Sequence, residues 1–178
     1  MKLSNHRYGK ARVRVFKILR AGDRHTIKEI EVKALLRGDF ESSYLAGDNS
    51  KVVATDTIKN TVNIFAKKHL GAEIESFALT LAEHFLANYE QVHEAEVEIA
   101  ERDWQPMEID GKPHEHSFVG DSVSRRFTRV TGASRSHVVQ SGVRELVILK
   151  SSGSGFEGYP KDEFTTLPET ADRILATS

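Results

Sequence analysis

From Lys10 to Leu19 the order Ala11, Arg12, Val13, Arg14, Val15 alternates apolar with charged residues. Successive side chains on a strand point to opposite faces, so a period of two marks a half-buried strand. Ala21-Gly22-Asp23-Arg24 supplies turn chemistry. His25 to Arg37 then alternates again through Ile30, Val32 and Ala34, and the two runs read as an antiparallel hairpin. Beyond a polar loop from Gly38 to Lys51 the period changes. Ile58, Val62, Phe65 and His69 recur at helical spacing, and Gly71 stops the run. Ile74, Phe77, Leu81 and Phe85 mark a second amphipathic helix ending near Tyr89. Val92, Ala95, Val97 and Ile99 open more strand, which continues through His116 to Val130 and again from Glu145 to Lys150. In the last of these, Leu146-Val147-Ile148-Leu149 is apolar enough to be expected inside a packed sheet.

Two strands, two helices and then further strands, without regular alternation, predict an α+β protein: an antiparallel sheet with helices packed on one face. No internal repeat, low-complexity tract or obvious linker interrupts the chain. Glu169 to Leu175 begins a helical or extended segment, and Ala176-Thr177-Ser178 adds no terminating element, which gives the expectation of a chain cut short.

Composition narrows the function classes. A chain of 178 residues can bury a real core. Lys and Arg number 25 against 26 Asp and Glu, so no global field draws the protein to nucleic acid or to an anionic membrane. No apolar run approaches a bilayer-spanning length, and Met1 to Lys10 is polar, without the apolar centre of a signal peptide. A cytoplasmic location is the expectation. The absence of cysteine removes disulfides, thiolate nucleophiles and Cys-ligated metals together.

Several short segments are candidates for chemistry. Thr55-Asp56-Thr57 sits between the apolar Val52-Val53-Ala54 and the first helix, where short oxygen side chains suit an N-cap. The same amides form a ready site for an anion or a polar heterocycle, and the two readings are compatible. Lys10 follows Tyr8-Gly9 at the start of the first strand. A lysine there is ordinarily solvated, and only desolvation or a neighbouring cation makes it a proton acceptor near neutrality. His114-Glu115-His116 places two imidazoles on one side of an extended segment, but no third ligand stands at a diagnostic spacing, so no metal is expected. Ser151-Ser152-Gly153-Ser154-Gly155 lacks the Gly-Lys-Ser/Thr ending of a phosphate-binding loop and reads as a flexible connection. Phe156 beyond it offers a face for a planar ring, and Arg173 a planar fork that can grip two acceptors.

Taken in order, these segments resemble the urate oxidase (uricase) family. The likeness is carried by Tyr8-Gly9-Lys10, Leu36-Arg37-Gly38-Asp39-Phe40, Gly47-Asp48-Asn49-Ser50, the run Val52 to Thr61, and Asp110-Gly111-Lys112-Pro113-His114. Its longest piece is Leu149 to Phe156, followed by Tyr159, Asp162 to Leu167 and Asp172-Arg173-Ile174-Leu175. The resemblance implies the tunnelling fold (T-fold), in which an antiparallel sheet carries its helices on one face and oligomers close into a barrel. It implies cofactor-independent oxidation of urate by O2 to 5-hydroxyisourate and H2O2. By carry-over Lys10 and Thr55 belong to a proton relay, the amides of Thr55 and Asp56 hold one purine edge, Phe156 stacks on the ring, and Arg173 grips the opposite edge. It also implies a homotetramer whose sites are shared between subunits, and a peroxisomal location if the source is eukaryotic.

Members of that family continue into a second tunnelling-fold unit, which supplies a histidine, a glutamine and an asparagine to the site. The sequence is therefore expected to divide into a first unit over 1–150 and a linker over 151–178 that bears substrate contacts. This is expected to be either a fragment of a split or clipped enzyme whose C-terminal half is a separate chain, or a truncated product, and in both cases this chain alone is expected to be inactive. The alternative is a non-catalytic purine- or pterin-binding module of the same fold. Half a barrel is further expected to expose an apolar sheet face and unpaired edges.

Overall fold

A computed structural model describes residues 3–22, 24–120, 123–133 and 136–177. Asp23 of the first turn lies outside the described residues, as do positions 121–122 within the expected strand from His116 to Val130. Contacts divide the chain into two units, Met1–Arg144 and Glu145–Ser178.

The first unit is built on five antiparallel strands in the order β1-β2-β3-β6-β7: β1 (Tyr8–Ala21), β2 (Arg24–Gly38), β3 (Val92–Arg102), β6 (Arg125–Ala133) and β7 (Ser136–Arg144). Between β2 and β3 run α1 (Glu41–Ala46), α2 (Thr55–His69) and α3 (Ile74–Asn88), and a separate hairpin, β4 (Gln105–Ile109) with β5 (Lys112–Val119), projects between β3 and β6. Alternation decides which face is buried. Ile30, Val32, Ala34 and Leu36 on β2 are buried with Val97 and Ile99 on β3 and Val130 on β6. The stripes of α2 (Ile58, Val62, Ala66) and α3 (Ile74, Phe77, Leu81, Phe85) are buried in the same core. At about 25 cal/mol per Å² of apolar surface removed from water, this layer dominates the stability of the unit. One ion pair is buried beside it: Lys28 of β2 meets Glu101 of β3, and Lys28 Nζ also donates to the Ala72 carbonyl at 2.7 Å, tying the sheet to the turn before α3.

The face away from the helices is mixed: it is mostly charged on β2 and β3, while Phe16 and Ile18 on β1 and Val138 on β7 leave exposed apolar residues of the expected kind. Glu98 on β3 accepts from Arg129 at 2.8 Å and Arg144 at 3.1 Å, with Lys33 at 3.4 Å. Around it Arg37 pairs with Glu94 at 3.5 Å and Arg102 with Glu29 at 3.8 Å. Burial pushes the Glu98 carboxyl up, but the bonds from Arg129 and Arg144 and the charge of Lys33 outweigh it and bring its pKa down to about 2.

Three further expectations need correction. The loop from Gly38 to Lys51 contains α1, a six-residue helix with no buried residue, so it leaves no apolar period to detect. The strand expected from His116 to Val130 is two, ending at Val119 and resuming at Arg125. The apolar run near Leu149 is not packed in the main sheet. Among the described residues β8 (Ile148–Lys150) pairs only with β9 (Leu175–Thr177), and Leu149 is 67% exposed. The strand that does complete the main sheet is β7, exposed along its whole length and hidden from a reading that looks for buried positions.

Candidate functional site

Two groups of candidate residues are assembled, one in each unit. In the first, Ala54 has extended backbone (φ −56°, ψ 136°) and stands at the N-cap of α2 without a side-chain cap. The first helical bond runs from Ile58 N to the Ala54 carbonyl at 3.0 Å, so the amides of Thr55, Asp56 and Thr57 lie ahead of the ladder. The N-cap reading of these three residues is thus corrected: they are the first turn itself. The Asp56 carboxylate is spent on Lys59 and, at 3.0 Å, on Asn60. The helix start keeps its positive end open on exposed residues.

Lys10 reaches this helix start through an irregularity in β1. Tyr8 pairs with Leu36 and Lys10 with Ala34, but the next partners are Val13 and Val32, so Ala11 and Arg12 together oppose Lys33. Arg12 takes the left-handed conformation (φ 56°) that such a bulge requires. Directly opposed residues share a face. The extra residue therefore places Tyr8 and Lys10 on the side of Val13 and Val15, which is the helix-bearing side. Gly9 has a steric reason to be glycine, because a Cβ there would lie 2.0 Å from the Ala34 carbonyl oxygen. The Asp56 carboxyl is held below its ordinary value first by the hydrogen bond from Lys59, then by the charge of Lys59, and further by Asn60 and the charge of Lys10. Lys10 and the first turn of α2 are thus within electrostatic reach.

Tyr8 links the two elements directly. Its hydroxyl accepts from Val53 N at 2.7 Å and donates to Val53 O at 3.2 Å, while its ring meets Phe40 edge-on at 4.7 Å. Burial pushes the Tyr8 phenol up, so the hydroxyl keeps the proton it donates.

In the second unit, Asp172 organises the loop after β8. Its carboxylate accepts from Ser152 Oγ at 3.2 Å and from Gly153 N, and Lys150 Nζ donates to the Gly153 carbonyl at 2.9 Å. Gly153 sits at φ 70°, where a side chain would be strained. The loop read as a flexible connection is thus tied down by an anion from its own chain. Phe156 N then donates to Thr170 O at 2.8 Å, and Thr170 N returns a bond at 3.3 Å. That bridge sets Arg173 beside Phe156, its guanidinium carbon 5.3 Å from the ring centroid. The Phe156 ring is stacked on Tyr159 at 4.5 Å and remains 43% exposed, while Arg173 Nε is buried without a hydrogen-bond partner among the described residues. Buried donors are rarely left unpaired, so this one is available to an acceptor brought by a ligand.

Sequence reasoning gave no role to Tyr8 or Asp172, although both stand inside the quoted motifs. In the projecting hairpin, His114 Nδ1 accepts from the amides of His116 and Ser117, both at 3.1 Å, and among the described residues no group of three His, Asp or Glu is arranged to hold a metal.

The antiparallel sheet with helices on one face is the tunnelling-fold arrangement, and comparison places it among enzymes that share it. The family profile described as Uricase matches residues 6–131 and 139–178. Uricase of Dictyostelium discoideum is 43% identical over 178 residues, covering 98% of this chain and 62% of the relative. Uricase of Aspergillus flavus is 44% identical over 174 residues, covering 96% of this chain and 58% of the relative. The crystal structure of uricase from Arthrobacter globiformis superposes with a TM-score of 0.85 at 40% identity, over 99% of this chain and 60% of that one. The chain belongs to the uricase family. It spans about three fifths of the length of these relatives.

Proposed function

We propose that this chain supplies two walls of a urate oxidase site: Lys10, Thr55 and the Asp56 amide on one, Phe156 and Arg173 on the other. Urate, O2 and water give 5-hydroxyisourate and H2O2, with two electrons passing from the purine to O2. The observation that carries the reading is the Arg173 guanidinium beside the half-exposed Phe156 ring, its Nε without a partner among the described residues, because a flat, electron-rich anion suits both at once. The open helix start of α2 suits the purine's other polar edge. An electron-rich anion reduces O2 itself, so the protein's part is positioning and proton movement, with no cofactor required. Lys10 drawing a proton through the Thr55 hydroxyl is that part on this side of the ring.

The remaining residues of the site come from a second tunnelling-fold unit, and the two walls named here come from neighbouring subunits of a homotetramer. Urate absorbance followed with this chain alone, and with the C-terminal portion of a uricase supplied, tests the reading. The pair is expected to consume urate and this chain alone is not. Lys10→Met in the pair is expected to lower kcat by about 10²-fold or more; normal turnover would remove Lys10 from the relay. Urate that binds the pair without being consumed would establish the non-catalytic purine-binding module instead.

A further inference from the structure

We infer that Tyr8, acting with the bulge at Ala11 and Arg12, is a positioning residue that holds Lys10 against the first turn of α2. This rests on the reading that Lys10 and Thr55 act together. Lys10 stands on an edge strand and is exposed, as is Thr55, and neither is buried in a pocket that would fix it. Two residues earlier in each segment, the geometry is different. Tyr8 and Val53 exchange two hydrogen bonds through one phenolic oxygen, and the Tyr8 ring is wedged against Phe40, whose side chain is fully buried.

That pairing is specific in its chemistry. Val53 lies just outside the helix, where its amide and carbonyl have no strand or helix partner to receive them. A hydroxyl is the one short group that both donates and accepts, so it alone satisfies both from a single atom. The strand bearing Lys10 and the segment bearing Thr55 are thereby locked two residues from each reacting group. The bulge completes the device. Without its extra residue, pairing of period two would turn Lys10 to the charged face of the sheet, away from α2. Arg12 holds a conformation uncommon for a residue with a side chain, and such outliers persist where the surroundings over-determine them.

Tyr8→Phe removes the hydroxyl and keeps the ring against Phe40, so it separates positioning from packing. In the chain paired with the C-terminal portion of a uricase, kcat for urate is expected to fall about tenfold while KM stays within about twofold, since misplacing a proton-transfer group costs rate more than binding. The acid limb of the kcat profile is expected to move with it, and amide exchange at Val53, which donates to Tyr8, and at Ile58, which closes the first helical bond, to quicken about tenfold. A Tyr8→Phe enzyme with unchanged kcat and pH profile overturns the inference, even if its Tm has dropped. If the unmutated pair does not consume urate, the reading of the site fails. The positioning claim is then judged on exchange, and unaltered Ile58 protection in Tyr8→Phe overturns it.

Discussion

The start of α2 and the Phe156–Arg173 group present reactive surface in opposite ways. Behind Thr55 stands a continuous core: Ile58 and Val62 are fully buried one and two turns into the helix, against strands whose own apolar positions are fully buried. Behind Phe156 there is almost none. Glu145–Ser178 has Ser154 as its one buried residue among those described, and its loop is shaped by hydrogen bonds from Asp172, Thr170 and Lys150. A group carried on a packed layer is held in the main by apolar area, with the Tyr8–Val53 bonds setting only its final alignment. A group carried on a turn is held by a few directional bonds, each of which is individually exposed to loss.

This difference is open to attack from both sides. Phe77→Ala, a cavity at the centre of the first unit, is expected to cost about 3–5 kcal/mol in urea unfolding. A loss below about 1 kcal/mol would mean that the layer does not carry the fold. Arg173→Ala is expected to weaken urate binding by roughly 2 kcal/mol, about 30-fold, in the range of a hydrogen bond to a charged group, with the unfolding midpoint of the first unit unchanged. A shifted midpoint with intact binding would invert the assignment of the two regions.

The charged face gives an acid limb. The folded Glu98 carboxyl is depressed to about 2 from 4.5, so its contribution is fully present above pH 4.5 and is lost as the pH falls toward 2. Allowing for partial solvent screening, that contribution is on the order of 2 kcal/mol, and Glu98→Gln is expected to flatten the decline between those two pH values in a pH-resolved unfolding series. An unaltered decline would show that the neighbouring arginines derive nothing from Glu98. The smallest effect is expected from Asp172→Ala, which removes the acceptor of two exposed bonds. Urate affinity should fall by about 1 kcal/mol, fivefold, and proteolysis near Gly153 should quicken. Equal resistance to protease would mean that the turn holds its shape without its anion.

The layers were legible in the sequence where burial imposes a period. β2 shows its apolar residues at Ile30, Val32, Ala34 and Leu36, and α3 shows a stripe from Ile74 to Phe85, so strand, helix and their shared face follow from hydropathy alone. β7 and α1 bury nothing and left no such trace. Leu146 to Leu149 misled for the complementary reason, since an apolar run reports that something covers it without saying what. The charge on the open sheet face was present in the odd and even positions of β2 and β3 but was not read as a face of its own. Among site residues, Lys10, Thr55, Asp56, Phe156 and Arg173 could be named from motifs. The bulge between Lys10 and Val13 could not, because it exists only in the pairing register of two strands.

That bulge makes chain length, more than side-chain identity, the sensitive quantity at the beginning of β1. Exchanging Ala11 or Arg12 for another residue alters one side chain on an edge strand. Removing either one rotates every residue before it by half a pleat, carrying Tyr8 and Lys10 through the sheet to its far side, so natural variation and library design alike should find substitutions there forgiving and single-residue deletions ruinous.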